Sequence, residues 1–494
     1  MKKIDRIIIV GFGSIAQALL PLLSENYNSE IIIFDKEIDT TRKNIASEYS
    51  AKLNKKLITQ NNFHSVLSPL LSDNSFLLNL AVSVSSLALI NLAQRFNTLY
   101  LDTCIEPWEY ENQNNNNNNN NNNNLKSNHS LRENLKQYAQ TQASTTTAIV
   151  GHGANPGFIS ILLKKAMLEM ALKNGIHEQP TTQPEWAKLS ARLELQVIQI
   201  SERDTQISSK KRAPKSFICT WSVDGLITEC LQPAELGWGS HEVDIPLNAK
   251  NNGYSLELIE QGRNVIVKSW SPNYLEFNAY LLTHNESLSI AEYLTSDTSS
   301  APKYRPTVYY AYHPCDQAVD SMHLLDSGSE DQIESKEVMK DDIVSGIDEL
   351  GIFLISKKYK SLWLGSNLSI GKARKMAKHN SATSLQVTSS IVAGMKWAEK
   401  NSESGVLESE NLDWEYIYDF VEPYWQPIII QETDWRPSRN DTLQFHNFTI
   451  SEYTQKTDKT MEAKPHERNK NNKVQNHPPF DSGCCSGTGK FPIP

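Results

Sequence analysis

Cysteine is scarce in this chain, and no two cysteines have the spacing of a common metal site. The 494 residues contain six cysteines and no C-x-x-C pair, which argues against a structural zinc site and a disulfide scaffold. No apolar run reaches the ~18 residues that a membrane-spanning helix requires, so we expect no membrane partner. The N-terminal Met-Lys-Lys runs into a strand-like segment instead of a signal-peptide cleavage site, which predicts a cytoplasmic protein.

Excess basic charge is also missing. The chain has 48 Lys and Arg against 57 Asp and Glu, which gives a formal net charge of -9. Because a nucleic-acid partner requires a basic patch, the acidic balance argues against one. It is compatible with a cationic ligand, although net charge spread over such a length mostly serves solubility.

Short β-branched runs alternate with helical stretches in the first part of the chain, which is typical of βαβ units. Examples are the strand-like Ile4–Val10 and the helix-like Ile38–Leu53. Further along, shorter segments in which apolar and polar residues alternate indicate antiparallel strands. We predict an α/β fold with a Rossmann-type parallel sheet domain and a second α+β domain of mainly antiparallel sheet. The expected boundaries are residues 1–160 for the Rossmann domain, 161–310 for an α+β substrate and dimerisation domain, 311–455 for a return segment completing both, and 456–494 for a disordered tail.

A homopolymeric tract interrupts the first domain. Eleven asparagines fill Asn114–Asn124 and offer no apolar surface to bury. We therefore predict a disordered surface insertion over residues 112–128.

A glycine-rich turn follows the first predicted strand and precedes a helix. Gly11-x-Gly13-x-x-Ala16 matches the dinucleotide-binding fingerprint in this context. The first glycine allows the tight turn, the second allows backbone approach to a pyrophosphate, and Ala16 lets helix and strand pack closely. Asp35 lies at the end of the second strand, where a carboxylate binds both ribose hydroxyls and repels a 2′-phosphate. The pattern predicts bound NAD.

Polar groups follow two later strands of the same sheet. Glu106 comes after the strand that ends at Asp102, and Asn155 lies in a second glycine-rich turn, Gly151–Gly157. Both side chains would reach the cleft beyond the carboxyl ends of the strands. The alternatives are that Glu106 only stabilises its loop and that Asn155 only caps a helix.

Many separate segments resemble the bacterial homospermidine synthases, a group within the saccharopine dehydrogenase-like family. The resemblance covers residues 1 to about 450 and leaves out the asparagine tract and the tail. It rests on the first glycine turn and on the segments Leu101–Trp108, Gly153–Gly157, Thr220–Gly225, Gln232–Gly239, Leu282–Glu286, Tyr312–Asp316, Asp348–Gly351 and Thr383–Thr388.

The resemblance implies an NAD-dependent aminobutyl transfer. Putrescine is oxidised to an imine, ammonia is lost, a second putrescine condenses, and the new imine is reduced to homospermidine. Trp221 matches the family's cation-binding tryptophan, and His284 is the best acid or base candidate because its ordinary pKa is near neutrality. The expected catalytic residues are Glu202, Glu229, His284 and Trp221; the expected substrate-binding residues are Glu106, Asn155 and Asp348; and the expected cofactor-binding residues are Gly11, Gly13, Ser14, Ile15, Asp35, Asp102 and Thr103. The expected ligands are putrescine and other small polyamines, and a homodimer is expected by analogy.

Other interpretations stay open. Trp221 would otherwise be a core residue and His284 the start of a helix, while His152 and His313 lie in equally suggestive segments. One rival function is a saccharopine- or carboxynorspermidine-type reductase, which needs an Arg or Lys to hold a carboxylate. Arg203 is available for that, as is Arg263. A second rival is a non-catalytic NAD-binding protein.

Overall fold

The computed structural model describes residues 2–108, 127–247, 249–297, 302–438 and 442–450. Residues 112–126 of the predicted insertion and the whole predicted tail lie outside this range. The last two residues of the predicted insertion differ from the prediction, because Ser127 caps a helix that begins at Asn128. None of the helices in the described ranges is long and apolar enough to cross a membrane.

The first sheet has seven strands, all parallel, in the order β20-β6-β5-β4-β1-β2-β3. Its strands are β1 (Arg6–Val10), β2 (Glu30–Asp35), β3 (Lys52–Lys55), β4 (Ser75–Asn79), β5 (Leu99–Asp102), β6 (Ala148–Val150) and β20 (Val406–Glu408). Helices cover both faces, so β1 is buried on each side: Ile7 and Ile9 pack in one apolar cluster, and Ile8 and Val10 in another. The Rossmann-type parallel sheet is confirmed.

The helices of this part are α1 (Ser14–Asn26), α2 (Thr40–Glu48), α3 (Phe63–Leu67), α4 (Ser86–Arg95) and α5 (Asn128–Thr141). The predicted helix Ile38–Leu53 was too long: α2 ends at Glu48, and residues 49–53 are not helical. Ser50 has a φ of +54°, which ends the helical path, and the chain then enters β3 beside β2.

The second sheet has ten strands. They are β7 (Leu195–Asp204), β10 (Pro233–Gly237), β11 (Lys250–Asn251), β12 (Ser255–Gln261), β13 (Ile266–Ser271), β14 (Leu275–Leu282), β15 (Thr307–His313), β18 (Ile347–Ser356), β19 (Ser361–Ser369) and β21 (Ile428–Thr433). Its pairs are antiparallel except the central pair β7–β15, which is parallel. The predicted mainly antiparallel sheet is confirmed, as a mixed sheet.

Four short strands form two small ribbons, in which β8 (Ile207–Ser208) pairs with β17 (Ile343–Ser345) and β9 (Ser216–Cys219) with β16 (Ser335–Val338). The remaining helices are α6 (Phe158–Lys173), α7 (Gln183–Arg192), α8 (Val223–Leu231), α9 (Asn285–Tyr293), α10 (Asp316–Met322), α11 (Ile370–Met376), α12 (Ala382–Lys400), α13 (Trp414–Val421) and α14 (Phe445–Phe448). After residue 311 the chain adds β20 to the first sheet and β18, β19 and β21 to the second. The domain boundaries given above stay a prediction.

Candidate active site

The first glycine turn joins β1 to α1. Gly11 has a φ of +92°, and a Cβ there would lie 2.7 Å from the carbonyl oxygen of Leu80, so the turn requires glycine. Gly13 caps α1 without a side-chain hydrogen bond, and nothing lies within 4 Å of the place that its Cβ would take. Room is thus left at the start of α1, where the N–H groups of Ser14 and Ile15 would bind a pyrophosphate.

Asp35 ends β2 beside this turn. Its Oδ2 accepts a hydrogen bond of 2.6 Å from the backbone N–H of Phe12, and its Oδ1 accepts one of 2.7 Å from the N–H of Glu37. These bonds fix the carboxylate next to the glycine turn, which is where a ribose-binding acid is needed. The room at Gly13 and this fixed acid fit a dinucleotide.

Asp102 lies deeper than a cofactor contact would require. It is fully buried, and its carboxylate accepts hydrogen bonds from the Tyr100 hydroxyl at 2.7 Å and from the Gly151 N–H at 2.8 Å. Burial raises the pKa of Asp102 to about 6. The carboxylate therefore connects β5 to the second glycine turn. Thr103 lies against the same turn, with its methyl carbon 3.5 Å from where a Cβ of Gly153 would be. A direct contact of either residue with the cofactor stays a prediction.

His284 lies between two carboxylates just before α9. Its Nε2 is 3.1 Å from Oε1 of Glu229 on α8, and its Nδ1 is 3.1 Å from Oε1 of Glu286. All three side chains are nearly enclosed. Burial lowers the pKa of His284, but the charges of Glu286 and Glu229 outweigh it and raise that pKa well above the usual value. The two carboxylates therefore favour the imidazolium form of His284.

Glu202 lies inside β7, which continues to Asp204. Its Oε2 accepts hydrogen bonds from Asn155 Nδ2 at 2.9 Å and from the Tyr310 hydroxyl at 2.6 Å. Burial raises the pKa of Glu202 to about 7, even though these two donors favour the ionised form. A carboxyl group with this pKa exchanges protons near neutral pH.

Asp348 belongs to the same buried group of acids. In the antiparallel pair of β18 and β7 it lies directly opposite Asp204, and its carboxyl group is within hydrogen-bond reach of Glu202. Burial and the charges of Glu202 and Asp204 raise the pKa of Asp348 well above its usual value. Thr383 donates a hydrogen bond of 2.5 Å to Asp348, and Thr220 donates one of 2.6 Å to Asp204.

Glu106 contacts the segment after β4, and Trp221 contacts the start of α1. Oε2 of Glu106 accepts a hydrogen bond of 3.0 Å from the Ser83 N–H. Burial and the charges of Glu106, Glu229, Asp102 and Glu286 raise the pKa of the Cys104 thiol well above its usual value. The Trp221 ring packs against Gly225 at the start of α8, and its carbonyl oxygen accepts a hydrogen bond from Ser14.

Several buried acceptor atoms at this site lack a hydrogen-bond donor among the described residues. They are Oε2 of Glu229, Oε2 of Glu286 and Oδ1 of Asn285. Leaving such atoms unpaired is costly, and each ammonium group of a diamine brings three donors. The site therefore has the chemistry of a receptor for an organic cation.

Comparison with known proteins gives the family. Residues 7–150 match the family model described as the saccharopine dehydrogenase NADP binding domain, and residues 153–429 match the saccharopine dehydrogenase C-terminal domain. The chain is 38% identical over 443 residues to a homospermidine synthase of Blastochloris viridis, an alignment that covers 87% of this chain and 92% of that one. The chain belongs to the homospermidine synthase family.

Two further members of the homospermidine synthase family are similar over nearly their full lengths. The protein from Mesorhizobium japonicum is 34% identical over 471 residues, covering 90% of this chain and 96% of its own. The crystal structure of a homospermidine synthase from Legionella pneumophila in complex with NAD superposes with a TM-score of 0.83 at 34% identity, covering 91% of this chain and 99% of that chain.

The other two histidines considered from the sequence, His152 and His313, make packing contacts in the protein interior. His152 is fully buried, its Nδ1 is 2.9 Å from the Ser409 hydroxyl, and burial lowers its pKa to about 4. A Cβ on Gly394 would lie 2.6 Å from its ring, so the imidazole fills a space against α12. His313 packs its ring on Tyr280, and burial lowers its pKa also.

The arginines that a carboxylate substrate would need are already engaged. Arg203 lies 3.1 Å from the Asp316 carboxylate and donates to the carbonyl oxygen of Pro314 at 3.0 Å. Arg263 pairs with Asp326 at 2.8 Å. Both guanidiniums thus pair with carboxylates of the protein itself, whereas a saccharopine-type substrate would need one for its own carboxylate.

Sequence reasoning missed three residues of the site, namely Glu286, Tyr310 and Asp204. The signal for Glu286 was its place two residues after His284, and the signal for Tyr310 was the tyrosine-rich stretch of β15.

Two cavities of about 640 and 810 Å³ adjoin Tyr293 and Glu410, and no predicted site residue lines either one. The site is therefore identified by its charges and unpaired acceptors.

Proposed function

We propose that this chain is a homospermidine synthase that converts two molecules of putrescine into homospermidine and ammonia. The observation that carries the proposal is the group of buried acceptors without donors around His284, next to a glycine turn that fits a dinucleotide. A diamine supplies the missing donors at two ammonium groups, and its four-carbon chain has no carboxylate that would need an arginine.

NAD is the proposed cofactor. Gly11, Gly13, Ser14 and Ile15 would hold its pyrophosphate, and Asp35 its ribose, with Asp102 and Thr103 supporting the neighbouring loops. The fixed carboxylate of Asp35 supports NAD over NADP because it repels a 2′-phosphate, and the relative from Legionella pneumophila has been solved in complex with NAD. When bound, the cofactor supplies a reversible two-electron oxidation of the amine-bearing carbon.

Glu202 is the proposed base, and His284 is the proposed acid. The reacting amine must lose a proton before its carbon is oxidised, and a carboxylate with a pKa of about 7 is matched to accept that proton. The imidazolium of His284 is suited to donate a proton to the departing ammonia, and Glu229 holds that charge in place. The second putrescine then adds to the imine carbon, ammonia leaves that carbon with the proton from His284, and the new imine that results is reduced to homospermidine.

The remaining residues are proposed to hold the diamine. Trp221 would bind an ammonium or iminium group through its ring face, an attraction of up to about 2 kcal/mol when desolvated. Glu106, Asn155 and Asp348 would bind the other end. Their acceptor oxygens support this role, since a bound ammonium is stabilised by several charge-assisted hydrogen bonds.

The decisive experiment is incubation of the purified protein with putrescine and a catalytic amount of NAD. We expect homospermidine and ammonia by mass spectrometry, strong loss of both in Glu202→Gln, and no change in Glu415→Gln, an exposed control on α13. Turnover of aspartate semialdehyde or a keto acid with NADPH instead would support the carboxynorspermidine- or saccharopine-type reductase. Binding of NAD without turnover of any amine would support a non-catalytic protein.

The homodimer and the cytoplasmic location stay predictions. Exposed apolar side chains at Val243, Ile245 and Leu247 supply a surface that a second copy would bury. Light scattering on wild type and on Leu247→Asp tests this, because a dimer built on that surface dissociates in the variant.

A further inference from the structure

Tyr310 contacts both proposed proton-carrying groups. Its ring lies 4.1 Å from the His284 ring, centroid to centroid, with 25° between the planes. Its hydroxyl donates a hydrogen bond of 2.6 Å to Oε2 of Glu202. The Tyr312 ring stacks on Tyr310 at 5.3 Å and 13°. Tyr310 therefore contacts the imidazole of His284 through its ring and the carboxyl group of Glu202 through its hydroxyl.

We propose that Tyr310 is a positioning residue that aligns the imidazole of His284 through its ring face and holds the carboxyl group of Glu202 through its hydroxyl. The inference rests on the proposed function for its catalytic meaning. Both contacts are made by one rigid side chain. The proton donor His284 and the proton acceptor Glu202 therefore keep a fixed distance and orientation while the diamine reacts. Neither contact alone would achieve that.

The charges around Glu202 explain why the hydroxyl matters. Asp204 lies two residues further along β7, and its charge favours the protonated form of Glu202. Asp348 faces Glu202 from β18, within hydrogen-bond reach. The Tyr310 hydroxyl, the Asn155 amide and the charge of His284 favour the ionised form. Burial also favours the protonated form of Glu202. Loss of one donor would shift this balance toward the protonated acid, which cannot accept a proton from the amine.

Tyr310→Phe is the test, with Tyr309→Phe as its matched control. Tyr309 is the next residue of β15, is equally buried, and accepts a hydrogen bond of 2.6 Å from Gln199 on the opposite face of the sheet. We expect the acid limb of the pH profile of kcat/KM to move up by about 1 pH unit in Tyr310→Phe, the effect of losing one hydrogen bond to a carboxylate. In Tyr309→Phe, we expect a similar loss of thermal stability and an unmoved profile.

A second measurement does not depend on turnover. Infrared titration of the protein without substrate follows the band of protonated buried carboxyl groups, and Tyr310→Phe should retain that band to higher pH than wild type and Tyr309→Phe. Titration and profile curves of Tyr310→Phe that coincide with those of Tyr309→Phe would overturn the proposal. If wild type made no homospermidine, the proposed function would fail, while the infrared comparison would still decide the role of Tyr310 toward Glu202.

Discussion

Replacing Glu286 with glutamine removes one of the two charges that keep His284 protonated. Two unit charges at the observed 3.1 Å attract by about 5 kcal/mol at an effective dielectric constant of about 20. Because the desolvation of both groups offsets part of this, we expect a loss of about 3 kcal/mol in the free energy of unfolding, the low end for breaking a buried pair. That loss corresponds to a fall of about 2 units in the pKa of His284.

The pH dependence gives the sign of this effect. The folded-state pKa of His284 is raised, so the stability it contributes is fully present below its unfolded value of about 6.5 and is lost as the pH rises through the folded-state pKa. Glu286→Gln lowers that folded-state pKa. The difference between wild type and variant should therefore be largest near about pH 6 and shrink at alkaline pH.

Urea unfolding at several pH values measures this difference, and NMR titration of the imidazole protons measures the pKa directly. Glu178→Gln is the control, since it breaks an ion pair with Arg192 that is partly exposed and should cost less than about 1 kcal/mol at any pH. A Glu286→Gln variant with the same pH profile of stability as wild type would refute the ion-pair reasoning.

Three further predictions concern the ligands. Trp221→Phe should weaken putrescine turnover less than Trp221→Ala, because phenylalanine keeps a ring face for the cation; equal losses in kcat/KM would exclude the cation–π role. Asp35→Ala should relax the preference for NAD over NADP in equilibrium binding, and an unchanged ratio of Kd values would exclude the ribose contact. Gly11→Ala should abolish NAD binding, because its Cβ would lie 2.7 Å from the Leu80 carbonyl oxygen; retained binding would show that the turn can shift.

The cofactor half of the protein was predictable because its signals are local. The apolar β1, the glycine turn and Asp35 lie within the first 35 residues. Each can be recognised from the residue types at its own positions, without knowledge of the tertiary packing. The end of α2 was missed because a serine at positive φ has no marked sequence signal. The parallel pairing of β7 with β15 was also hidden, since it joins segments that are more than a hundred residues apart.

The candidate site was only partly predictable. Glu229 and His284 were chosen by resemblance, and the structure brings them within 3.1 Å although 55 residues separate them along the chain. Glu286 and Tyr310 were missed because isolated glutamates are mostly surface residues and tyrosines in strands are mostly core. What distinguishes them here is burial against charged partners, which depends on tertiary packing and not on local pattern.

The central claim is that one molecule of cofactor oxidises the donor amine and reduces the product within one catalytic cycle. The most direct measurement uses putrescine deuterated at both amine-bearing carbons, with limiting unlabelled NAD, and mass spectrometry of the product. We predict that homospermidine retains all of the deuterium, with one ammonia released for each homospermidine and no accumulation of NADH. Loss of deuterium from the product, or NADH formed in proportion to it, would contradict the account.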